Sequence, residues 1–117
     1  MTNQEQIQRL EAGLVSAKKT VEFGDALQRL RSNRDFKTVI QSGYLEQEAI
    51  RLVHLKGDPE MQSPASQAAI VRQIDSISEL NSFFRTAEYQ ARMALRAIQA
   101  DGETLEELLA EEGSNNG

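Results

Sequence analysis

The sequence predicts an all-α fold: an elongated antiparallel helical hairpin with two short middle helices and an acidic C-terminal tail. Hydrophobic residues make up 39% of the chain, with only 5% aromatic residues and two prolines, a composition that favours helix. Apolar residues also recur every third or fourth position in two long stretches, about 3–31 and 64–100. We expect residues 1–112 to form a single helical domain and residues 113–117 to be disordered.

The first long helix is predicted from an apolar stripe that reaches residue 30. Its members are Ile7, Leu10, Leu14, Ala17, Val21, Phe23, Leu27 and Leu30. The phase of the stripe shifts at Gly24, and a glycine inside a helix costs about 1 kcal/mol relative to alanine. We therefore expect a bend or a loosened turn at Gly24. Gly13 weakens the same helix, so its first turns are expected to fray.

Two short helices are predicted between the long ones. Asn33 is a candidate N-cap for a helix over residues 34–42, which Gly43 is expected to end. A second helix is predicted over residues 44–56 and is ended by Gly57. The apolar residues expected to face inward are Phe36, Val39 and Ile40 in the first helix, and Leu45, Ala49, Leu52 and Val53 in the second.

The second long helix is predicted to start at Ser63-Pro64, because serine caps free N–H groups and proline fits the first turn. A heptad seam then follows at Ile70, Ile74, Ile77, Asn81, Phe84, Glu88, Ala91, Leu95 and Ile98. A seam of this length on an elongated hairpin is typical of contact with another copy or another protein. We therefore predict a homo-oligomer, with every seam residue except Ala91 and Ile98 as an interaction residue.

Two polar residues, Asn81 and Glu88, interrupt the seam. A buried polar group costs free energy unless it is paired, and in coiled coils such residues fix the register and the oligomeric state. The other interpretation is that both side chains reach solvent at the edge of the seam. No acid or base partner identifies Glu88 as a catalytic carboxylate.

The C-terminal tail is acidic. Residues 101–117 carry six acidic and no basic residues, so the tail accounts for the net charge of −5. Asp101-Gly102 is expected to break or bend the long helix, and a short helix is predicted over residues 104–112. The apolar residues of that helix, also predicted to be interaction residues, are Leu105, Leu108 and Leu109. The tail is either a solvated terminus or an arm that docks these leucines into a partner groove.

Four basic residues flank the first helix junction: Arg29, Arg31, Arg34 and Lys37. We call this cluster the basic junction. It either pairs within the chain and faces solvent, or contacts an acidic partner surface such as the tail of another subunit. Nucleic-acid binding is a third interpretation, which the sequence disfavours. The helix that would enter the DNA groove begins Leu45-Glu46-Gln47-Glu48, and its carboxylates would repel phosphate.

The residue types needed for several chemistries are missing or isolated. There is no cysteine, which excludes disulfides, thiolate metal sites and cysteine nucleophiles. His54 is the only histidine, and no carboxylate has the spacing to share a metal with it. No phosphate-binding glycine motif occurs. We therefore expect no enzyme activity, no catalytic, cofactor or metal residues, and no cofactor. We expect no membrane association either, since neither a spanning apolar run nor a secretory signal is present.

One part of the sequence, about residues 27–112, resembles a group of known proteins. The resemblance rests on Asn33-Arg34-Asp35-Phe36, Val39-Ile40, Gly43-Tyr44, Glu48-Ala49, Arg51-Leu52-Val53, Asp58-Pro59, Met61-Gln62, Ile70, Ile74, Phe83-Phe84, Ala87 and the acidic tail. It is similar to small acidic helical proteins of tailed bacteriophages, often encoded near structural genes. These proteins mostly lack an assigned activity, so no functional residue is carried over.

The resemblance implies a setting, which we combine with the helical pattern. We expect a non-enzymatic, virion-associated or assembly protein of a phage that acts through helix–helix contacts with a phage structural protein or its own copies. The alternative is a small phage-encoded binding protein that inhibits or redirects a host protein. Either function places the protein in the cytoplasm of a bacterial host, and the first also places it in the virion.

Overall fold

The computed structural model describes residues 2–115, and every regular element among them is helical. The elements are α1 (Asn3–Ser32), α2 (Arg34–Phe36), a π-helical segment (Lys37–Glu48), α3 (Ala49–Lys56), a 3₁₀ turn (Pro59–Met61) and α4 (Pro64–Asn115). The predicted all-α helical hairpin, with two long helices joined by short helical pieces, is confirmed.

The contacts divide the chain into two units. The first combines residues up to Ala26 with those from Ala87 onward, and the second is Leu27–Thr86.

Helix α1 begins in a capping box. The backbone N–H of Glu5 donates to the Thr2 hydroxyl at 3.1 Å, and the N–H of Thr2 donates to the Glu5 carboxylate at 3.4 Å. These bonds satisfy backbone donors that would otherwise lack partners, and they oppose the fraying expected of the first turns. Helix α1 continues through Gly13 and Gly24 to Ser32, so neither glycine ends it.

The middle of the chain, residues 34–56, is one uninterrupted helix rather than two. The predicted N-cap is confirmed, since the Asn33 side chain accepts a hydrogen bond from the N–H of Phe36 at 3.0 Å. The prediction that Gly43 ends a helix was wrong. Gly43 lies inside the π-helical segment, and a Cβ placed on it would lie 3.2 Å from the carbonyl oxygen of Thr38, five residues earlier. Longer π-helical stretches are rare, and π-bulges frequently occur at functional sites.

The core of the second unit joins α3 to the first turns of α4. Leu52 and Ile70 are 0% and 1% exposed, and Ile77 is buried with them. Partly buried neighbours pack against this cluster: Tyr44, Leu45, Ala49, Leu55, Met61 and Ile74. The prediction that Val39 and Val53 face inward was wrong, since each is 63% exposed. A π-helix bonds residues five apart, so a spacing of 3.6 residues per turn does not hold across this segment.

Helix α4 starts where the sequence predicted. The N–H of Ser66 donates to the Ser63 hydroxyl at 3.1 Å, and Pro64 occupies the first turn. The predicted break at Asp101-Gly102 was wrong, as was the separate helix over residues 104–112, because α4 continues without interruption to Asn115. Residues 113–115, expected to be disordered, belong to this helix. The last two residues of that expected disorder lie outside the described chain.

Two glutamine side chains hold the connection between α3 and α4. The amide nitrogen of Gln67 donates to the carbonyl oxygens of Lys56 and Met61, at 3.0 and 2.8 Å. The amide nitrogen of Gln62 donates to the carbonyl oxygens of Lys56 and Asp58, at 2.9 and 2.7 Å. The carbonyl groups at the end of α3 and in the 3₁₀ turn thus obtain donor partners within the chain, where a short loop would otherwise leave them to water.

Replacing Gln67 with alanine is expected to lower the free energy of unfolding by about 1–2 kcal/mol, because the Met61 carbonyl loses its side-chain donor and the Lys56 carbonyl keeps only Gln62. The measurement is urea denaturation followed by circular dichroism. Gln90→Ala is the matched control, since Gln90 is an exposed glutamine of the same helix. Equal stability of the two variants would show that the Gln67 bonds contribute nothing to folding.

Candidate functional site

The predicted seam on α4 is divided by burial. In the second unit Ile70, Ile77 and Phe84 are buried, and Ile74 is half-buried against the core. These side chains pack within the chain itself, so they offer little surface to a partner. In the first unit Leu95 and Leu109 are exposed, each by 50%. The other two predicted leucines, Leu105 and Leu108, are less exposed and only half-buried. The exposed surface therefore differs from the predicted one.

The two polar seam residues, Asn81 and Glu88, are half-buried. No polar or charged residue in the described part of the chain is fully buried. Neither side chain therefore carries the cost of complete burial. Their position fits the interpretation that they lie at the edge of the packed face.

The basic junction is held by an aromatic cluster. The guanidinium carbon of Arg31 lies 5.7 Å from the centroid of the Phe84 ring, and Phe36 packs edge-on against the same ring at 5.8 Å. A cation over an aromatic face gains about 0.5–1 kcal/mol at an exposed site. Together with the Asn33 cap, this contact fixes the turn that presents the neighbouring basic residues.

The other cations of the basic junction face solvent. Arg29, Arg34 and Lys37 are exposed, and none of them forms an ion pair with any residue that the structure describes. Leu30, between the first two arginines, is 49% exposed. Asp35 is an exposed carboxylate in the same turn, which leaves the junction with three net positive charges. The junction is thus a positively charged surface that also carries an exposed leucine.

The end of α4 presents the opposite charge. Four carboxylates are exposed there, Glu103, Glu106, Glu107 and Glu111. We call these four residues the acidic face. Within the described chain none of its glutamates is in an ion pair. The half-buried leucines 105 and 108 belong to the opposite side of the helix.

An open groove of about 160 Å³ lies where the π-helical segment meets α4. Its lining residues are Tyr44, Glu48, Leu52, Gln73, Ser76 and Ile77. The floor is apolar, and the rim is polar. Sequence reasoning missed this groove, because it depends on the phase of the π-helical segment. The only sequence signal was the glycine at position 43, within the helical pattern.

One rim residue of the groove, Glu48, is held by an ion pair. Arg51 donates to both carboxylate oxygens, at 3.0 and 2.5 Å. This hydrogen bonding lowers the pKa of Glu48 from its ordinary value and raises the pKa of Arg51. Because Arg51 is exposed and Glu48 is only half-buried, the pair adds little to stability, and its main effect is to orient the two side chains.

Large apolar side chains are exposed on all three of the longer α-helices and on the π-helical segment. They are Val15, Phe23, Leu30, Val39, Ile50, Val53, Val71, Phe83, Tyr89, Leu95 and Leu109. Ile50 and Val53 are one turn apart on α3 and therefore share a face. Most of these residues lie outside the predicted interaction set. Apolar periodicity identifies the main apolar stripe of a helix and not the apolar residues that lie off that stripe.

His54 is exposed, and no group of three or more histidine or acidic side chains among the residues that the structure describes is placed to hold a metal ion. No helix formed by them is long and apolar enough to cross a membrane.

No protein-family model matches this sequence, and comparison with curated proteins and with solved structures gave no match either. The function is therefore inferred from the surfaces of this chain. The surfaces that stand out are the basic junction, the acidic face and the exposed apolar side chains.

Proposed function

We propose that this protein is a non-enzymatic, virion-associated or assembly protein of a bacteriophage, which acts through helix–helix contacts with copies of itself or with a phage structural protein. The phage setting comes from the sequence resemblance. The mode of action is supported by one structural observation: the number of large apolar side chains that remain exposed after the chain has folded.

Exposed apolar residues are normal when they are scattered, so their number relative to the core matters. In the described part of the chain, eleven large hydrophobic side chains are exposed by 39–63%, whereas seven hydrophobic residues are buried. The chain thus leaves more of its large apolar side chains at the surface than it buries. Burying apolar surface against another protein gains roughly 25 cal/mol per Å², which provides a driving force for association.

The alternative proposal is a small phage-encoded protein that binds and inhibits or redirects a host protein. The burial of Ile70, Ile77 and Phe84 favours it, because the predicted seam is already satisfied within one chain. A protein of this kind is a monomer or dimer whose exposed side chains contact the host partner.

Light scattering after size-exclusion chromatography separates the two proposals. We expect a discrete multimer at micromolar concentration, with high helicity by circular dichroism. A monomer at every concentration and salt level would contradict the assembly function and favour the host-partner alternative. That alternative then requires specific capture of one host protein, and loss of the capture when Ile50 and Val53 are replaced by lysine.

A further inference from the structure

We propose that one strip of the surface of α4 binds the same strip of a second copy, so that two chains associate antiparallel about a twofold axis. The strip combines exposed leucines with charges of both signs, and its residues recur at every third or fourth position: Arg92, Leu95, Gln99, Gly102, Glu106 and Leu109. We call these six residues the pairing face. The inference rests on the proposed function, because it names one contact through which copies of the chain would associate.

The pairing face is continuous along one side of the helix. An α-helix turns by about 100° per residue, so the alternating spacings of three and four keep all six residues within roughly 100° around the axis. The face borders the side of α4 that packs against α1, where the Cβ position of Gly24 approaches Ala91. Five of its residues are exposed, and the sixth, Gly102, has nothing within 4 Å of its Cβ position. The face is therefore open to a partner helix.

The leucines of the pairing face are arranged symmetrically along the helix. Leu95 and Leu109 are each 50% exposed and lie seven residues to either side of Gly102. If a second copy is laid antiparallel, with the twofold axis between Gln99 and Gly102, Leu95 of each copy comes beside Leu109 of the other. The glycine near the axis lets the two helix backbones approach closely there. The contact thus removes four leucine side chains from water.

The charges of α4 change sign about the same point. Arg92 and Arg96 precede it, Glu103 and Glu106 follow it, and all four side chains are exposed. In the antiparallel arrangement Arg92 comes beside Glu106 of the second copy, and Arg96 comes beside Glu103 of the second copy. The twofold axis repeats both pairs, so the contact contains four ion pairs. A parallel arrangement would instead place like charges side by side, so the charges select the antiparallel one.

These four charges are available to a partner. None of them forms an ion pair with a residue in the described part of the chain. The guanidinium carbon of Arg92 lies 6.0 Å from the centroid of the Tyr89 ring, a contact that orients the side chain and leaves its N–H donors for a carboxylate.

The contact is isologous, because both copies contribute the same surface. It extends over only about 25 Å of helix and contains few apolar residues. A small, partly polar interface of this kind is typical of a reversible dimer rather than an obligate one. We therefore expect a dimer that dissociates on dilution, and in a larger assembly this dimer would be one of the contacts.

Charge reversal tests the contact. The first double variant carries Arg92→Glu and Arg96→Glu, and the second carries Glu103→Arg and Glu106→Arg. Either variant alone would place like charges in all four pairs, so we expect its dissociation constant, measured by sedimentation equilibrium, to rise at least about 30-fold. The fourfold variant that combines the substitutions restores opposite charges and should dimerise like the original protein. An equimolar mixture of the two double variants should also dimerise, as a heterodimer.

Matched controls make the same changes in net charge at exposed positions outside the pairing face. Arg9→Glu with Arg72→Glu corresponds to the first double variant, and Asp75→Arg with Glu79→Arg corresponds to the second. Both controls should dimerise as the original protein does. Circular dichroism of every variant verifies that the helices are retained.

Crosslinking tests the position of the twofold axis independently of charge. The chain has no cysteine, so a single introduced cysteine reports only on contact with the same residue of a second copy. In Gln99→Cys the thiols lie close to the axis, and a short bis-maleimide reagent should join them. Ala100 is the next residue and is also exposed, but it lies about 100° further around the helix. Ala100→Cys should therefore give little crosslinked dimer.

The outcomes separate the pairing face from the proposed function. If the multimer is unaffected by either double variant, if the fourfold variant is not rescued, or if residues 99 and 100 crosslink equally, the pairing face is overturned while the assembly function still stands. If the original protein is monomeric at every concentration, the assembly function itself is contradicted, and the pairing face with it.

Discussion

Replacing Ile70 with alanine is expected to lower the free energy of unfolding by about 2–5 kcal/mol. Ile70 is 1% exposed and packs with Leu52 and Ile77, so truncation removes buried methyl groups and leaves a cavity between α3 and α4. Proteins of this size have only about 5–15 kcal/mol of stability, so the loss takes a large fraction of the total. Urea denaturation followed by circular dichroism measures it.

Two further variants keep this prediction informative. Val71→Ala changes the next residue on the same helix, which is exposed, and should alter stability by about 0.5 kcal/mol or less. Ile70→Val should cost about 0.5–1.5 kcal/mol, so it gives a measurable loss even if the alanine variant does not fold. If Ile70→Ala and Val71→Ala proved equally stable, the core would not lie where the structure places it.

The elements with local signals could be predicted from the sequence. Asn33, Ser63 and Pro64 are capping or first-turn residues, whose effect depends on the next few residues alone, and all three start helices as expected. The apolar spacing on α4 also predicted that Ile70 and Ile77 would leave water, although it assigned them to contact with a partner rather than to the core of their own chain. Short-range hydrogen bonding and helical periodicity are sufficient for predictions of this kind.

The positions that were wrong depend on contacts that the sequence does not display. Gly43 has the residue type that ends helices, but here the helix continues in π geometry, and the faces that carry Val39 and Val53 turn outward. Gly102 has nothing within 4 Å of its Cβ position, and α4 nevertheless continues through it. A propensity of about 1 kcal/mol is readily overridden by packing along a long helix.

The candidate site was only partly predictable. The residues of the basic junction and the charge of the tail were visible in the sequence, because charge requires no knowledge of the fold. The partners of the predicted apolar residues could not be read from the sequence in the same way. A stripe such as the α4 seam shows which side chains leave water, but not whether they pack against their own chain or another. The burial of Ile70, Ile77 and Phe84 assigns that part of the stripe to the chain itself.

Replacing Gly24 with alanine is expected to destabilise the protein by about 1–3 kcal/mol, although alanine is normally the better helix former. A Cβ on Gly24 would lie 2.3 Å from the Cβ of Ala91, far inside the 3.5–4.0 Å at which carbon atoms pack. Gly13 is the matched control, since nothing lies within 4 Å of its Cβ position. Gly13→Ala should therefore stabilise the protein by about 0.5–1 kcal/mol.

The exchange variant Gly24→Ala/Ala91→Gly tests whether a clash between the two methyl groups causes the loss of stability. If the loss comes from the clash of two methyl groups, removing the methyl of Ala91 should restore most of the stability, and the double-mutant cycle should give a coupling of about 1–2 kcal/mol. Thermal unfolding of the four proteins in the cycle measures this coupling. Additive effects would mean that Gly24 serves backbone flexibility, as its sequence position suggested, and that the close approach of α1 and α4 does not require it.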